Sequence, residues 1–208
     1  GDLERAVHHA NKGAEAHGDE GHPYPYLQAG CHMMLALARV HLGHPEGTAG
    51  LAARALDEMR ALGHPAYLTI LLLDGSDWAW LTDRPALAVD RTRRAAALLP
   101  ANQKPGLPLL RCQLRAALHE QCTDEADSLA SEVERRVTSA AYDVRTVLAW
   151  ATLAVWARAR GRPREAARWY DRTRSGVEGL QLLPTAPIHR ELEVLWAPRR
   201  ATGLRASR

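Results

Sequence analysis

The sequence predicts an all-α fold in which antiparallel helix hairpins stack as one α-solenoid with a period of about 40 residues. Three observations predict it. The chain resembles itself at a fixed spacing, the mark of a repeat architecture. Its turn residues fall into two alternating classes, and the apolar residues between turns recur with helical spacing. Five segments open with a turn, then a polar residue or two, then an amphipathic stretch. They are Gly-Asp-Leu-Glu-Arg-Ala at 1–6, Gly-His-Pro-Glu-Gly-Thr at 43–48, Thr-Asp-Arg-Pro-Ala-Leu at 82–87, Gln-Cys-Thr-Asp-Glu-Ala at 121–126 and Gly-Arg-Pro-Arg-Glu-Ala at 161–166. Their starts lie 42, 39, 39 and 40 residues apart.

Taken in chain order, a helix of the second type in each hairpin is expected at 2–16, with Asp2 as an N-cap or first-turn acid. A first-type helix follows at 24–42 and ends at Gly43, since glycine accepts the left-handed C-terminal cap. The next second-type helix, 45–61, has Pro45 in its first turn, where a missing N–H costs nothing. Inside it Leu51, Ala55, Met59 and Leu62 share one face. Helix 65–81 contains the apolar run Tyr67 to Leu73, which composition alone allows as a buried strand; its place in the repeat makes it helix. Helix 84–98 starts with Asp83 and Pro85, helix 106–120 follows Pro100 to Pro108, and helix 124–138 starts with Asp124. Helix 141–160 carries Val147, Trp150, Leu153, Ala154 and Ala157 at helical spacing and ends at Gly161. Pro163 opens helix 163–178, and a last first-type helix is expected at 187–197. The junctions Gly18 to Pro25, Gly63 to Pro65, Pro100 to Pro108 and Leu183 to Pro187 are the looser class, as in a helical-hairpin solenoid. The organisation is thus one repeat domain over 1–197 and a basic flexible tail over 198–208.

Composition excludes several function classes. Apolar residues at 46% and charged residues at 25% are ordinary globular values, so a disordered chain is not expected. Lys12 and Lys104 are the only lysines, arginine supplies the remaining positive charge, and phenylalanine is absent. That bias is what GC-rich coding produces and points to a bacterial source such as an actinobacterium. The net charge of +3 owes much to Arg199, Arg200, Arg205 and Arg208 in the tail. The body carries no basic stripe, so direct nucleic-acid binding is not expected. Cys31, Cys112 and Cys122 are odd in number and without paired spacing, which favours reduced thiols over a disulfide framework. The longest near-apolar run, Val147 to Ala157, is far below the ~20 residues that span a bilayer. With no signal-peptide pattern at the start, the expectation is a cytoplasmic protein that does not touch membranes.

The unit around the fourth first-type helix resembles the tetratricopeptide class. Trp150-x2-Leu153-Ala154-x2-Ala157 falls on that family's W-x2-L-G-x2-Y pattern, and Ala166 and Tyr170 take its small and aromatic positions. Gly75, Trp78 and Ala36 fit in earlier units, whereas Leu114, Thr48, Leu87 and Arg39 depart from the pattern, and the period exceeds the usual ~34. Longer, degenerate repeats of this kind resemble the helical sensor arms of maltose-regulator-like ATPases and of the antibiotic regulators of actinobacteria. The resemblance implies a right-handed solenoid acting as a protein-interaction scaffold inside a larger regulator. Residues 1–6 read as the second half of a unit whose first helix is absent. This suggests a fragment of a longer protein, or an apolar face covered by a partner.

No pattern for catalysis, cofactor or metal stands out. His8-His9 face different directions, His41 and His44 straddle a helix end, and His119-Glu120-Gln121-Cys122 lacks the second histidine of a zincin motif. Cys31-His32 reads as a core thiol beside a half-exposed ring. There is no Gly-x-Ser-x-Gly elbow and no phosphate loop. Asp74-Gly75-Ser76-Asp77 is the most site-like tetrapeptide. An acid/base pair is one reading of it; the other has Gly75 letting helices approach while the acids face water or an arginine. The six tryptophans read as inter-helix packing, with an aromatic ligand cage as the alternative.

The tetratricopeptide resemblance implies that first-type helices line a concave groove. Carried over, its floor comprises Met33, Leu37 and Val40, then Leu72, Ser76 and Ala79, then Arg111, Arg115 and Leu118, then Ala151, Val155 and Arg158. Met33, Leu37 and Ser76 with the guanidiniums of Arg111, Arg115 and Arg158 are the expected binding residues, gripping carboxylates or phosphates. The plainer alternative pairs those arginines with Glu120 and Asp143 or leaves them solvated. A peptide or partner domain is the expected occupant and a small-molecule effector the alternative. Replacing Arg111 and Arg115 with Glu is expected to abolish capture and leave the fold intact.

Overall fold

A computed structural model of the chain describes residues 3–16, 25–138, 143–180 and 187–196, and these form helices and no strand. The helices are α1 (Leu3–Ala16), α2 (Pro25–His41), α3 (Thr48–Ala61), α4 (Pro65–Leu81) and α5 (Pro85–Ala97). They continue as α6 (Leu107–Glu120), α7 (Thr123–Thr138), α8 (Val144–Ala159), α9 (Pro163–Gly179) and α10 (Pro187–Trp196). The fold is all-α, and each helix falls where the turn residues and apolar spacing put it. The expected tail at 198–208 and the cap Asp2 lie outside the described residues.

One turn chemistry recurs after α2, α4, α6 and α8. Gly43 (φ 84°), Asp83 (φ 56°), Gln121 (φ 60°) and Gly161 (φ 67°) take the left-handed conformation. The next amide then reaches back into the helix: His44 N to Arg39 O at 2.8 Å, Arg84 N to Ala79 O at 2.8 Å, Cys122 N to Ala117 O at 3.0 Å and Arg162 N to Ala157 O at 2.9 Å. These bonds satisfy carbonyls that a helix end leaves open. Pro85 and Pro163 then start α5 and α9. Two details differ from the sequence reading. Asp83 is the left-handed turn residue and not a cap. Pro45 precedes α3, because Gly47 (φ 71°) turns the chain once more and Thr48 Oγ1 donates to Pro45 O at 2.6 Å.

The helices pack as hairpins α2–α3, α4–α5, α6–α7 and α8–α9, with α1 against α2. Between hairpins, α2, α4, α6 and α8 each touch the next of that set, making a wall, while α3, α5 and α7 each touch the wall helix that follows. Helix α10 breaks the pattern. It packs on α8 and also on α4 and α2, so it lies across the wall.

Two apolar clusters fill the interior. One gathers Met33, Leu56, Met59, Leu72, Trp78 and Leu109 from α2 to the start of α6. The other gathers Leu114, Val133, Val147, Leu153, Ile188 and Leu192 from α6 to α10. Three hydrogen bonds match polar groups between helices. Trp78 Nε1 donates to Thr48 Oγ1 at 3.1 Å, Trp156 Nε1 to Asp127 Oδ1 at 2.8 Å, and Arg91 Nη1 to Gly75 O at 2.6 Å. His32 is buried against Glu58, with Nδ1 to Oε2 at 2.8 Å, and its neighbour Cys31 is the half-buried member of that pair. Cys31, Cys112 and Cys122 are all free.

Two glycines in helices differ in what surrounds them. A Cβ at Gly176 of α9 would sit 2.8 Å from Val147 Cγ2 and 3.0 Å from Trp150 Cζ3, whereas at exposed Gly50 of α3 it would meet nothing. We expect Gly50→Ala to raise stability by about 0.5–1 kcal/mol through helix propensity. Gly176→Ala should lower it by about 1–3 kcal/mol, because overpacking against a β-branched methyl and a ring outweighs that gain. Urea titration of both variants checks the opposite signs.

Candidate functional site

Helix α10 buries Ile188 and Leu192 against α8. Residues three and four apart share a helix face, so Glu191 goes down with them and keeps only 17% of its side-chain surface. Its Oε1 comes within 3.9 Å of His41 Nε2 on α2. Asp74 and Asp77 of α4 and Arg111 and Arg115 of α6 complete the charged seam around Glu191.

Arg111 Nη2 donates to Asp77 Oδ2 at 2.5 Å, with only 8% of the arginine side chain exposed. Burial works against that charged guanidinium, but Asp77, with Cys112 and Glu191 behind it, outweighs burial and holds its pKa above the ordinary value. Arg115 lies over the Trp80 ring, 4.4 Å from its centroid. Burial, and then Arg111, lower its pKa to about 10, so it is still charged at neutral pH.

The seam therefore holds three carboxyl groups beside two guanidiniums. Burial first, and repulsion from Asp77 and Asp74 next, push Glu191 up to about 7 against the pull of Arg111 and Arg115. Burial and Asp77 push Asp74 up to about 6 against Arg111 and Arg145. Burial, and then Arg190, lower His41 to about 4 against Asp77, so at neutral pH its ring is uncharged and its contact with Glu191 is not an ion pair.

The wall continues beyond α10. Seven residues bring a helix almost back to the same face. From His41 that face runs back through Met34 to Leu27, from Asp77 to Ile70, and from Asp74 to Tyr67. Leu27 (46% exposed), Met34 (54%), Tyr67 (39%), Ile70 (53%) and Val144 (38%) are among the large apolar side chains left open to solvent. They lie on wall helices, and Tyr67 stacks on Tyr26 with ring centroids 4.8 Å apart.

Of the expected binding residues, Arg111 and Arg115 do come together on the wall, beneath α10. Leu37 is half-buried. Met33 and Ser76 are fully buried and present nothing to a groove: Ser76 Oγ donates to Ala88 O at 3.1 Å, and Met33 lies in the first core cluster. Arg158 is exposed and lines a separate cleft with Tyr170 and Trp196. Neither Glu120 nor Asp143 answers the arginines. Arg93 takes both oxygens of Glu120 at 2.8 Å, and Asp143 accepts from Thr146 N at 2.8 Å to cap α8. Sequence reasoning missed Glu191, whose signal was an acid on the face shared by Ile188, Leu192 and Leu195. Among the described residues no three of His, Cys, Asp and Glu gather to hold a metal ion. No described helix is long and apolar enough to cross a membrane.

No protein-family model matches the chain, and no curated protein matches it.

The seam makes stability depend on pH in a definite direction. Glu191 and Asp74 have folded pKa values raised above their ordinary ones, so the stability they contribute is full in acid and is lost as pH rises toward about 7 and about 6. His41 is lowered, and its contribution is lost as pH falls toward about 4. Two carboxyls outweigh one imidazole between these limits. We expect the melting temperature of the chain to be higher at a pH of about 5 than about 8. Glu191→Gln should shrink that difference by a few degrees, which thermal melts at both pH values will read out.

Proposed function

We propose that the chain is a tetratricopeptide-like scaffold, a right-handed solenoid of helix hairpins that binds an amphipathic helix of a partner protein along its inner wall. One observation carries this reading. The wall already holds one such helix, α10, and on the same faces of α2 and α4 beside it lie Leu27, Met34, Tyr67 and Ile70, exposed. Large apolar side chains left open on neighbouring wall helices mark an interaction surface, and an amphipathic helix laid in an apolar groove is a standard recognition mode. The recurrence of the left-handed turn at 43, 83, 121 and 161 supports the solenoid, and so does the contact of each wall helix with the next. The role is one of binding, not catalysis: Asp77 is engaged by Arg111 and the neighbouring carboxyls lie under α10. A place in the sensor arm of a larger bacterial regulator, working in the cytoplasm, fits such a scaffold. The cleft beside Trp196 favours a second reading, in which a small molecule is sensed.

The burial of Arg111 changes the choice of test. Arg111→Glu would strip a buried ion pair and set two acids together, at about 3–5 kcal/mol, so lost capture would report on folding. Met34→Glu with Ile70→Glu alters only exposed side chains and should leave the melt within about 0.5 kcal/mol. In matched pull-downs from the source organism, the wild type should retain a partner whose contact segment is an amphipathic helix, and the double variant should lose it. Identical partners on both baits, or none on either, would contradict the proposal.

A further inference from the structure

A cleft of about 490 Å³ opens where α8, α9 and the end of α10 meet. Its sides are apolar, from Ala154 and Val155 on α8 and Ala166 and Ala167 on α9. Three side chains give it chemistry. Tyr170 of α9, 45% exposed, lies against Trp196 of α10 with ring centroids 4.5 Å apart and planes tilted by 36°. Arg158 of α8 lines the same cleft and is exposed, and its guanidinium has no ion pair or hydrogen bond among the described residues. The other charged group there, Asp171, already faces Arg174 at 3.5 Å.

We propose that this cleft binds a small, flat aromatic monocarboxylate, its carboxylate on Arg158 and its ring against Tyr170 and Trp196. The volume falls within the roughly 300–1,000 Å³ typical of small-molecule sites and exceeds what a lone inorganic anion fills. A guanidinium free to make two parallel bonds matches a carboxylate. Exposed Tyr170 and half-buried Trp196 offer ring faces and edges to another ring. The alanine and valine sides disfavour a multiply charged ligand, which would lose hydration there without gaining partners. Because Trp196 is the last residue of α10, a bound ligand ties that helix to α8 and α9. The site stands apart from the helix-binding reading, and failure of either leaves the other intact.

The test is calorimetric titration of the full chain at neutral pH with naphthoate, and with the uncharged, equally shaped naphthamide. Saturable binding of naphthoate is expected, with naphthamide weaker by about tenfold or more, the worth of a charged hydrogen-bonded contact. Arg158→Gln should weaken naphthoate by about the same factor and leave naphthamide unchanged. Tyr170→Ala should weaken both. Arg158 and Tyr170 are exposed, and unchanged melts of the two variants will show that the fold is kept. No saturable binding of naphthoate, equal binding of acid and amide, or indifference to Arg158→Gln overturns the assignment.

Discussion

Arg111 puts a permanent charge almost wholly out of water, and the seam between the two halves of the molecule is arranged around answering it. An unpaired buried guanidinium would cost several kcal/mol, more than most single contacts return. Asp77 supplies the direct partner. Asp74, Arg115 and Glu191 then crowd into the same space, and the surplus carboxylate is relieved by holding protons at pH values where exposed acids have lost them. The arrangement mixes attraction with frustration, so it tunes how α10 sits without being the main source of stability.

That stability comes from the apolar clusters, and α10 is where they and the charges meet. Ile188 and Leu192 belong to the core built around α8, while Glu191 reaches the charged faces of α2, α4 and α6. One short helix thus ties the second half of the chain to the first through different chemistry on neighbouring residues. It also covers only part of the wall. The stripe from His41 back to Leu27 passes from a buried imidazole to open hydrocarbon along one helix, and α4 repeats the change from Asp77 to Ile70.

Helix positions were legible because punctuation is local. A glycine free to turn left-handed and a proline just after it fix where one helix stops and the next starts, as at Gly161 and Pro163, whatever the helices later touch. Which face of a helix looks inward is set by distant partners. Helix α8 is apolar nearly all round, and α4 carries large apolar residues on every side, so their periodicity names no single inward face. Ser76 was expected on the wall and Asp77 was not. One residue turns the side chain by about 100°, and Ser76 instead meets Thr92 and Ala88 of α5. Arg111 and Arg115 were legible as a pair because they are four apart on an amphipathic helix. Their partner on α10 was not, since nothing local announces that a helix about 80 positions later folds back across the wall.

Helix α10 lies against the wall through Ile188 and Leu192, and the buried seam beneath it exists only while it stays there. Amide hydrogen exchange read by mass spectrometry over residues 187–196 tests this most directly. Docked as described, the backbone of α10 exchanges as slowly as the neighbouring core of α8, and Leu192→Asp releases it while α4 and α5 stay protected. Exchange over 187–196 as fast as in a free peptide in the unaltered chain would contradict the account.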